Sequence, residues 1–199
     1  MPRMAAKDRR EALIAAAIRL MARDGVAKAT TRAIAGEAQM PLGVFHYCFA
    51  SREELLQEVI TRLAAESVVA ARQAFAGAED PASMITKSLQ VFWQGVELHP
   101  EEQLVGYELA HYALRQPGME PLARRQYAEY LEAIEELLSE AAKRLGTEWT
   151  APVPVLARYV HSVLDGLTMC WIVDRNSEHS REVLRLAGEH LLSFIAEPS

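Results

Sequence analysis

Along most of this chain apolar side chains return every third or fourth residue, the spacing of one face of an α-helix. No stretch holds the strict alternation of a half-buried strand. The first stripe is Leu13, Ile14, Ala17, Ile18 and Met21, and it predicts a helix from Arg9 to Ala22 that stops near Gly25. A second, short helix is predicted from Thr30, with Ile34 and Ala35 inward and Ala38 closing it. Gln39-Met40 reads as a brief turn. Pro41, whose missing N–H is harmless in a first helical turn, opens a third helix that runs to Tyr47. Ser51-Arg52-Glu53-Glu54 has the S-x-x-E form of a capping box and is followed by Leu55, Leu56, Val59, Ile60 and Leu63, so a long fourth helix starts there.

The rest continues in the same period. Glu79-Asp80-Pro81 starts a helix that ends near His99-Pro100, another covers Glu101 to Arg115, and Gln116-Pro117-Gly118 interrupts before a long one to Leu145-Gly146. Pro152 and Pro154 open a helix through Trp171, and Ser180 to Ala196 forms the last. The predicted fold is all-α, with about nine helices. Two short helices joined by a tight turn, behind one supporting helix and ahead of a long one, are the layout of a helix-turn-helix. A three-helix DNA-binding domain is therefore expected over residues 1–52, and a larger helical domain for ligand binding and dimerisation over 53–199, with helix four joining them.

Charge sharpens that division. The chain's net charge is −6, but residues 1–52 carry nine Lys/Arg against four Asp/Glu, while 53–199 carry twelve against twenty-three. A basic first domain on an acidic remainder points to phosphate as the partner of the first domain alone. Cys48 and Cys170 stand far apart with no metal-type spacing, which fits a reduced compartment. The amino-terminal MPRMAAKDRR is charged but lacks an apolar core behind it, and no apolar run approaches the ~18 residues of a membrane span. A cytoplasmic protein away from membranes is expected.

Within the third helix, Pro41 and Gly43 keep the leading end slim, as the end that approaches the major-groove floor must be. Phe45 and Phe49 have the spacing of inward anchors, while His46 and Tyr47 can reach phosphate oxygens. The stretch from Arg9 to Leu56, RREALIAAAIRLMARDGVAKATTRAIAGEAQMPLGVFHYCFASREELL, resembles the DNA-binding domain of the TetR family of transcriptional regulators. The likeness lies in an Ala-rich first helix ending at Gly, then T-x-x-x-I-A, a turn, a G-x-x-Y-x-H-F-like run and a basic residue just inside helix four. Gln39-Met40-Pro41 stands where Gly-Val-Ser is common in that family, His46 where Tyr is usual and Cys48 where His is usual. The resemblance implies DNA contacts from Thr30, Thr31, Arg32, Leu42, Gly43, His46, Tyr47 and Arg52. Chemistry favours Arg32 for a base edge or a bidentate phosphate and Arg52 for a phosphate. Thr30 can equally be an N-cap, and Leu42 either touches a thymine methyl or fills the core.

The two last predicted helices are rich in apolar side chains, among them Leu156, Val160, Val163, Leu164 and Leu167 on one and Val183, Leu184, Leu186, Leu191 and Leu192 on the other. Self-association is their expected outlet. The resemblance likewise implies a twofold homodimer through these helices, and two recognition helices would then meet a double-stranded, pseudo-palindromic operator.

An effector is harder to read. Tyr107, Glu108 and His111 share one face of a predicted helix, and His161, Asp165 and Met169 share one of another. Carboxylates on mixed apolar faces are costly to bury alone and could bind one end of a ligand. Phe92, Trp93, Tyr107, Tyr112, Tyr127, Met169 and Trp171 could supply an apolar wall for a cationic or aromatic small molecule. Alternatively His161 and Asp165 pair with each other or line a dimer seam, and the aromatics are core.

No G-x-S-x-G, Gly-rich phosphate loop, H-E-x-x-H or Cys/His cluster is present, so no catalytic residue, metal or cofactor is expected. The expected function is a ligand-responsive, DNA-binding regulator, a repressor released from its operator by a small molecule. The alternative is a dimeric DNA-binding or protein-interaction module that answers to no ligand.

Overall fold

Every predicted stripe closes into a helix, and the differences lie at the ends. The computed structural model describes residues 5–76 and 80–196. Among them are α1 (Ala6–Asp24), a 3-10 turn (Val26–Lys28), α2 (Thr31–Glu37), α3 (Leu42–Cys48), α4 (Arg52–Ala76), α5 (Pro81–Leu98), α6 (Pro100–Arg115), α7 (Glu120–Leu145), α8 (Val153–Asp174) and α9 (Ser177–Leu192). Glu79, named as a helix start, lies outside the described residues. Pro41 is not the first residue of α3 but its N-cap, with extended backbone (φ −59°, ψ 145°) and a carbonyl that accepts from Val44 N–H. Asp80 caps α5 by accepting from Ser83 N–H at 2.9 Å, and Asn176 caps α9 by accepting from His179 N–H at 3.1 Å, so α9 starts three residues earlier than expected.

The last helix also ends early, at Leu192 rather than Ala196. The residues after it turn to pair with the α7–α8 connection: Thr150 N–H donates to Phe194 O at 2.8 Å and Ala196 N–H to Glu148 O at 2.9 Å. Trp149 and Ile195 form an isolated antiparallel bridge there, and no longer strand occurs among the described residues.

The chain gathers into two compact units, one of residues up to Leu63 with Glu101–Gln126, the other of Ala64–Pro100 with residues from Tyr127 onward. By compactness, then, α6 and the first turns of α7 pack with the amino-terminal helices, although residues 53–199 were assigned by role to one domain. The core of the first unit joins Leu13, Leu20 and Met21 of α1 to Ile34 of α2, Phe45 and Phe49, Leu55 and Ile60 of α4, and Val105 and Leu109 of α6. Phe45 and Phe49 are fully buried with ring centroids 5.6 Å apart. Burial of side chains this size stabilises by about 1.5–3 kcal/mol each. That burial locks the inner face of α3 and leaves its outer face to solvent.

In the second unit, Ile85, Leu138, Leu156 and Leu191 form one cluster, and Trp93, Val96, Trp171 and Leu184 another. A Cβ at Gly188 would sit 3.3 Å from Leu89 Cδ1, so the glycine lets α9 approach α5 closely.

Candidate functional site

The geometry of the α2–α3 pair starts with its caps. Thr30 Oγ1 accepts from Ala33 N–H at 3.2 Å, which makes Thr30 the N-cap of α2. At the other end Met40 N–H donates to Ala35 O and Gln39 N–H to Gly36 O, both at 2.9 Å, the paired bonds of a Schellman motif. That motif needs a left-handed residue, and Gln39 supplies it at φ 56°. A glycine, common at this position in the family that the sequence resembles, would adopt that conformation without a Cβ penalty.

On α3 the outer face presents Gly43, His46 and Tyr47, all exposed, with Tyr47 70% accessible. A Cβ at Gly43 would meet no atom within 4 Å. No neighbouring atom among the described residues therefore requires glycine there. Leu42 is half-buried and packs against the core. Thr31 is half-buried and Arg32 exposed in the first turn of α2.

Arg52 has a different place from the one expected of a phosphate contact. Its Nε donates to Ala29 O at 2.8 Å, one Nη to Val26 O at 2.7 Å and the other to Tyr112 OH at 2.9 Å. The guanidinium thus clasps the α1–α2 connection from behind, satisfying carbonyls of two buried residues, and lies 5.0 Å from the Tyr112 ring centroid. Just ahead of it, Ser51 Oγ accepts from Glu54 N–H, while the Glu54 carboxylate accepts from Ala50 N–H at 2.7 Å. This is a capping box shifted by one residue. The Ala50 bond, followed by one from Arg10, holds the Glu54 carboxyl below the usual carboxylate range.

Of the residues expected to meet an effector, four lie in the first unit. Tyr112 belongs to the Arg52 clasp, and Glu108 Oε2 accepts from Val26 N–H at 2.7 Å, capping the 3-10 turn after Gly25. These two side chains of α6 bond to the helix-turn-helix, and the buried face of the same helix, Val105, Leu109 and Ala113, belongs to the core of that unit. Tyr107 is half-buried and His111 exposed on the same helix.

The other expected residues lie in the second unit. Trp93 and Trp171 are core, 2% and 6% exposed, packed edge to face with centroids 5.6 Å apart, and Trp171 Nε1 donates to Ser177 Oγ. Phe92 packs on that cluster and Met169 is exposed. Tyr127, His161 and Asp165 do come together. The His161 ring meets Tyr127 edge-on at 5.1 Å and stacks on Tyr130 at 5.6 Å. Its buried Nε2 has no hydrogen-bond partner among the described residues. Burial pushes the imidazole pKa down, with Asp165 opposing and Arg158 adding to the fall. Burial also raises the Tyr127 phenol, and Asp165 raises it further. Tyr130 was not among the expected residues; its i+3 spacing from Tyr127 puts both on one face of α7. Among the described residues, no three His, Cys, Asp or Glu side chains converge as a metal site, and no helix is long and apolar enough to cross a membrane.

Residues 13–59 match the family described as bacterial regulatory proteins of the tetR family, and residues 76–193 match a tetracycline-repressor-like C-terminal domain. The chain is 31% identical over 181 residues to the HTH-type nicotine-responsive transcriptional repressor HdnoR of Paenarthrobacter nicotinovorans, covering 91% of this chain and 92% of that one. Its fold is similar to that of a transcriptional regulator from Rhodococcus sp. Rha1, with TM-score 0.75, 21% identity and coverage of 95% and 99% of the two chains. It is also similar to the multidrug binding protein EbrR, solved with imidazole, with TM-score 0.65, 27% identity and coverage of 96% and 97%.

Proposed function

Because the chain belongs to the TetR family of bacterial transcriptional regulators, we propose that it is a homodimeric repressor that a small organic effector releases from its operator. Family membership makes it a DNA-binding regulator and not an enzyme. In this reading residues 1–52 meet the DNA, and 53–199 hold the effector and the dimer contact in the cytoplasm, where the operator lies. The observation that carries it is the outer face of α3, where Gly43, His46 and Tyr47 stand exposed on a helix whose inner face is fixed by Phe45 and Phe49. With Thr30, Thr31 and Arg32 at the leading end of α2, that face supplies base and phosphate contacts. Leu42 supports it from the core side, and Arg52 acts by holding the α1–α2 connection.

The dimer contact falls on α8 and α9, where Val155, Met169, Val173, Val183 and Leu186 are exposed. Val173 is 79% accessible, an apolar surface that a monomer would leave in water. A twofold axis through these helices sets two copies of α3 on a pseudo-palindrome, with half-sites about 34 Å apart. The effector reading rests on Tyr127, Tyr130 and His161 beside Asp165, rings and a carboxylate suited to a small aromatic molecule with a basic nitrogen. A nicotine-responsive relative supports the same class. Effector binding then favours a dimer in which the two α3 helices no longer fit successive major grooves, and operator affinity falls by the coupling free energy.

The test is a mobility-shift titration on DNA flanking the protein's own gene, with excess competitor DNA, followed by addition of nicotine and simple pyridines. Specific binding by a dimer, weakened by one of these compounds and restored when Asp165→Asn is used, is the expected result. Specific binding that no such compound weakens removes the effector class, and lack of binding to any flanking fragment removes the ligand-released repressor.

A further inference from the structure

Helix α1 carries two consecutive arginines, and the fold treats them differently. Arg10 is consumed inside the protein: one Nη donates to Cys48 O at 2.6 Å, the other to Glu54 at 2.9 Å and Glu58 at 2.8 Å, and the guanidinium lies 4.2 Å from the Phe49 ring centroid. The other α1 arginines are also matched by acids, Arg19 by Glu37 and Arg23 by Asp24 and Glu37. Arg9 is not. Among the described residues no carboxylate or carbonyl accepts from its guanidinium, and its buried Nε lacks an acceptor. Its guanidinium carbon instead sits 5.3 Å from the ring centroid of Tyr47, the most exposed aromatic of α3.

An arginine that forms no ion pair has no neighbouring acid to offset its charge, and an aromatic platform restricts where that charge can go. Here the platform belongs to the helix whose outer face meets DNA. We propose that Arg9 and Tyr47 form one composite phosphate-binding element, in which the Tyr47 ring fixes the Arg9 guanidinium at the edge of α3 and the guanidinium takes a DNA backbone phosphate. The element rests on the DNA-binding reading above and adds to it a residue from outside the helix-turn-helix. It also gives Tyr47 a second role: the flat ring matters, whether or not its hydroxyl touches DNA.

The experiment measures binding of the full-length dimer to an operator fragment and to an unrelated duplex of equal length, across a salt series. The variants are R9A, R9K, Y47A, Y47F and R9A/Y47A. Alanine is the best helix former, so R9A leaves α1 intact. In the homodimer R9A removes one phosphate contact per protomer, two in all, which lowers the slope of log K against log salt by about 1.8, so the advantage of the natural protein over R9A shrinks about 12-fold between roughly 50 and 200 mM salt. Both duplexes lose affinity by the same factor, because a phosphate carries no sequence. R9K restores the slope, Y47F retains it, Y47A lowers it, and R9A/Y47A is no worse than R9A. A slope unchanged in R9A, or R9A and Y47A losses that simply add, overturns the element. So does Y47F falling as far as Y47A, which would make the hydroxyl the contact. If the natural protein binds neither duplex, the regulator reading falls and this element with it.

Discussion

Replacing Arg52 by alanine separates two readings of the same residue. In the fold its guanidinium makes bonds of 2.7 and 2.8 Å to the carbonyls of Val26 and Ala29, which are 2% and 0% exposed, and a third to Tyr112 OH. Charge-assisted bonds of this kind contribute about 1.5–3 kcal/mol each. The tyrosine hydroxyl can turn to water and the arginine is half-exposed, so the low end of that range applies and the loss comes to about 3 kcal/mol. For a chain of this length each kcal/mol moves Tm by about 2–4 °C, so Arg52→Ala lowers Tm by about 6–12 °C. Arg52→Lys keeps the charge but replaces a three-way fork with one compact donor, and loses about 2 kcal/mol. The assay is urea unfolding followed by far-UV circular dichroism at one fixed dimer concentration, since dimer stability depends on it. An Arg52→Ala protein within about 0.5 kcal/mol of the parent that nonetheless loses operator affinity would refute the clasp and return Arg52 to the phosphate contact that the family resemblance implies.

Three further outcomes follow from the same structure. Glu108→Ala orphans the buried Val26 N–H and costs about 1–2 kcal/mol in the same urea assay, yet leaves any thermal shift produced by effector intact; a lost shift would restore Glu108 to the effector site. Gln39→Gly relieves a left-handed non-glycine residue worth about 1 kcal/mol of strain, partly offset by the extra freedom of glycine in the unfolded chain, so urea unfolding reports a gain of about 0.5 kcal/mol. The pKa of His161 is depressed in the fold, so the unfolded chain binds the extra proton first. Its contribution is therefore complete above the ordinary histidine pKa and is lost as pH falls through the lower folded value. Urea midpoints at pH 7.5 and pH 5.5 should draw closer together in His161→Gln than in the parent, and an unchanged gap would mean that His161 is not held neutral.

Helix existence was readable because each helix buries a stripe whose period appears in the residue string. Helix ends were readable where a local signal marks them, a glycine such as Gly25 or Gly146 or a side chain that makes the cap. Ser51 and Asp80 signal their helices by short-range chemistry, and the fold uses both as caps. The end of α9 is different, since Leu192 is followed by apolar residues that could extend the stripe. What stops the helix is pairing of residues 194–196 with residues 148–150, a partner more than forty positions away.

The same distance argument explains which site residues changed roles. Phe45 and Phe49 could be assigned to the core, and His46 and Tyr47 to the outer face, because all four stand on one short helix or its C-cap and spacing decides among them. Arg52, Glu108 and Tyr112 could not. Their partners are 23, 26, 60 and 82 positions away in the chain, and a carboxylate or tyrosine on a mixed helical face looks the same whether it waits for a ligand or caps a distant N–H. The sum of charges over residues 1–52 has the same defect: it subtracts Asp24 and Glu37, which pair with Arg19 and Arg23, but not Glu54 and Glu58, which offset Arg10 in place. Two of those acids, Glu54 and Glu58, lie in the acidic part of the sequence beyond residue 52. Which cations remain without an acid is therefore set by the fold, and a contact map, not a charge count, distinguishes Arg9 from Arg10.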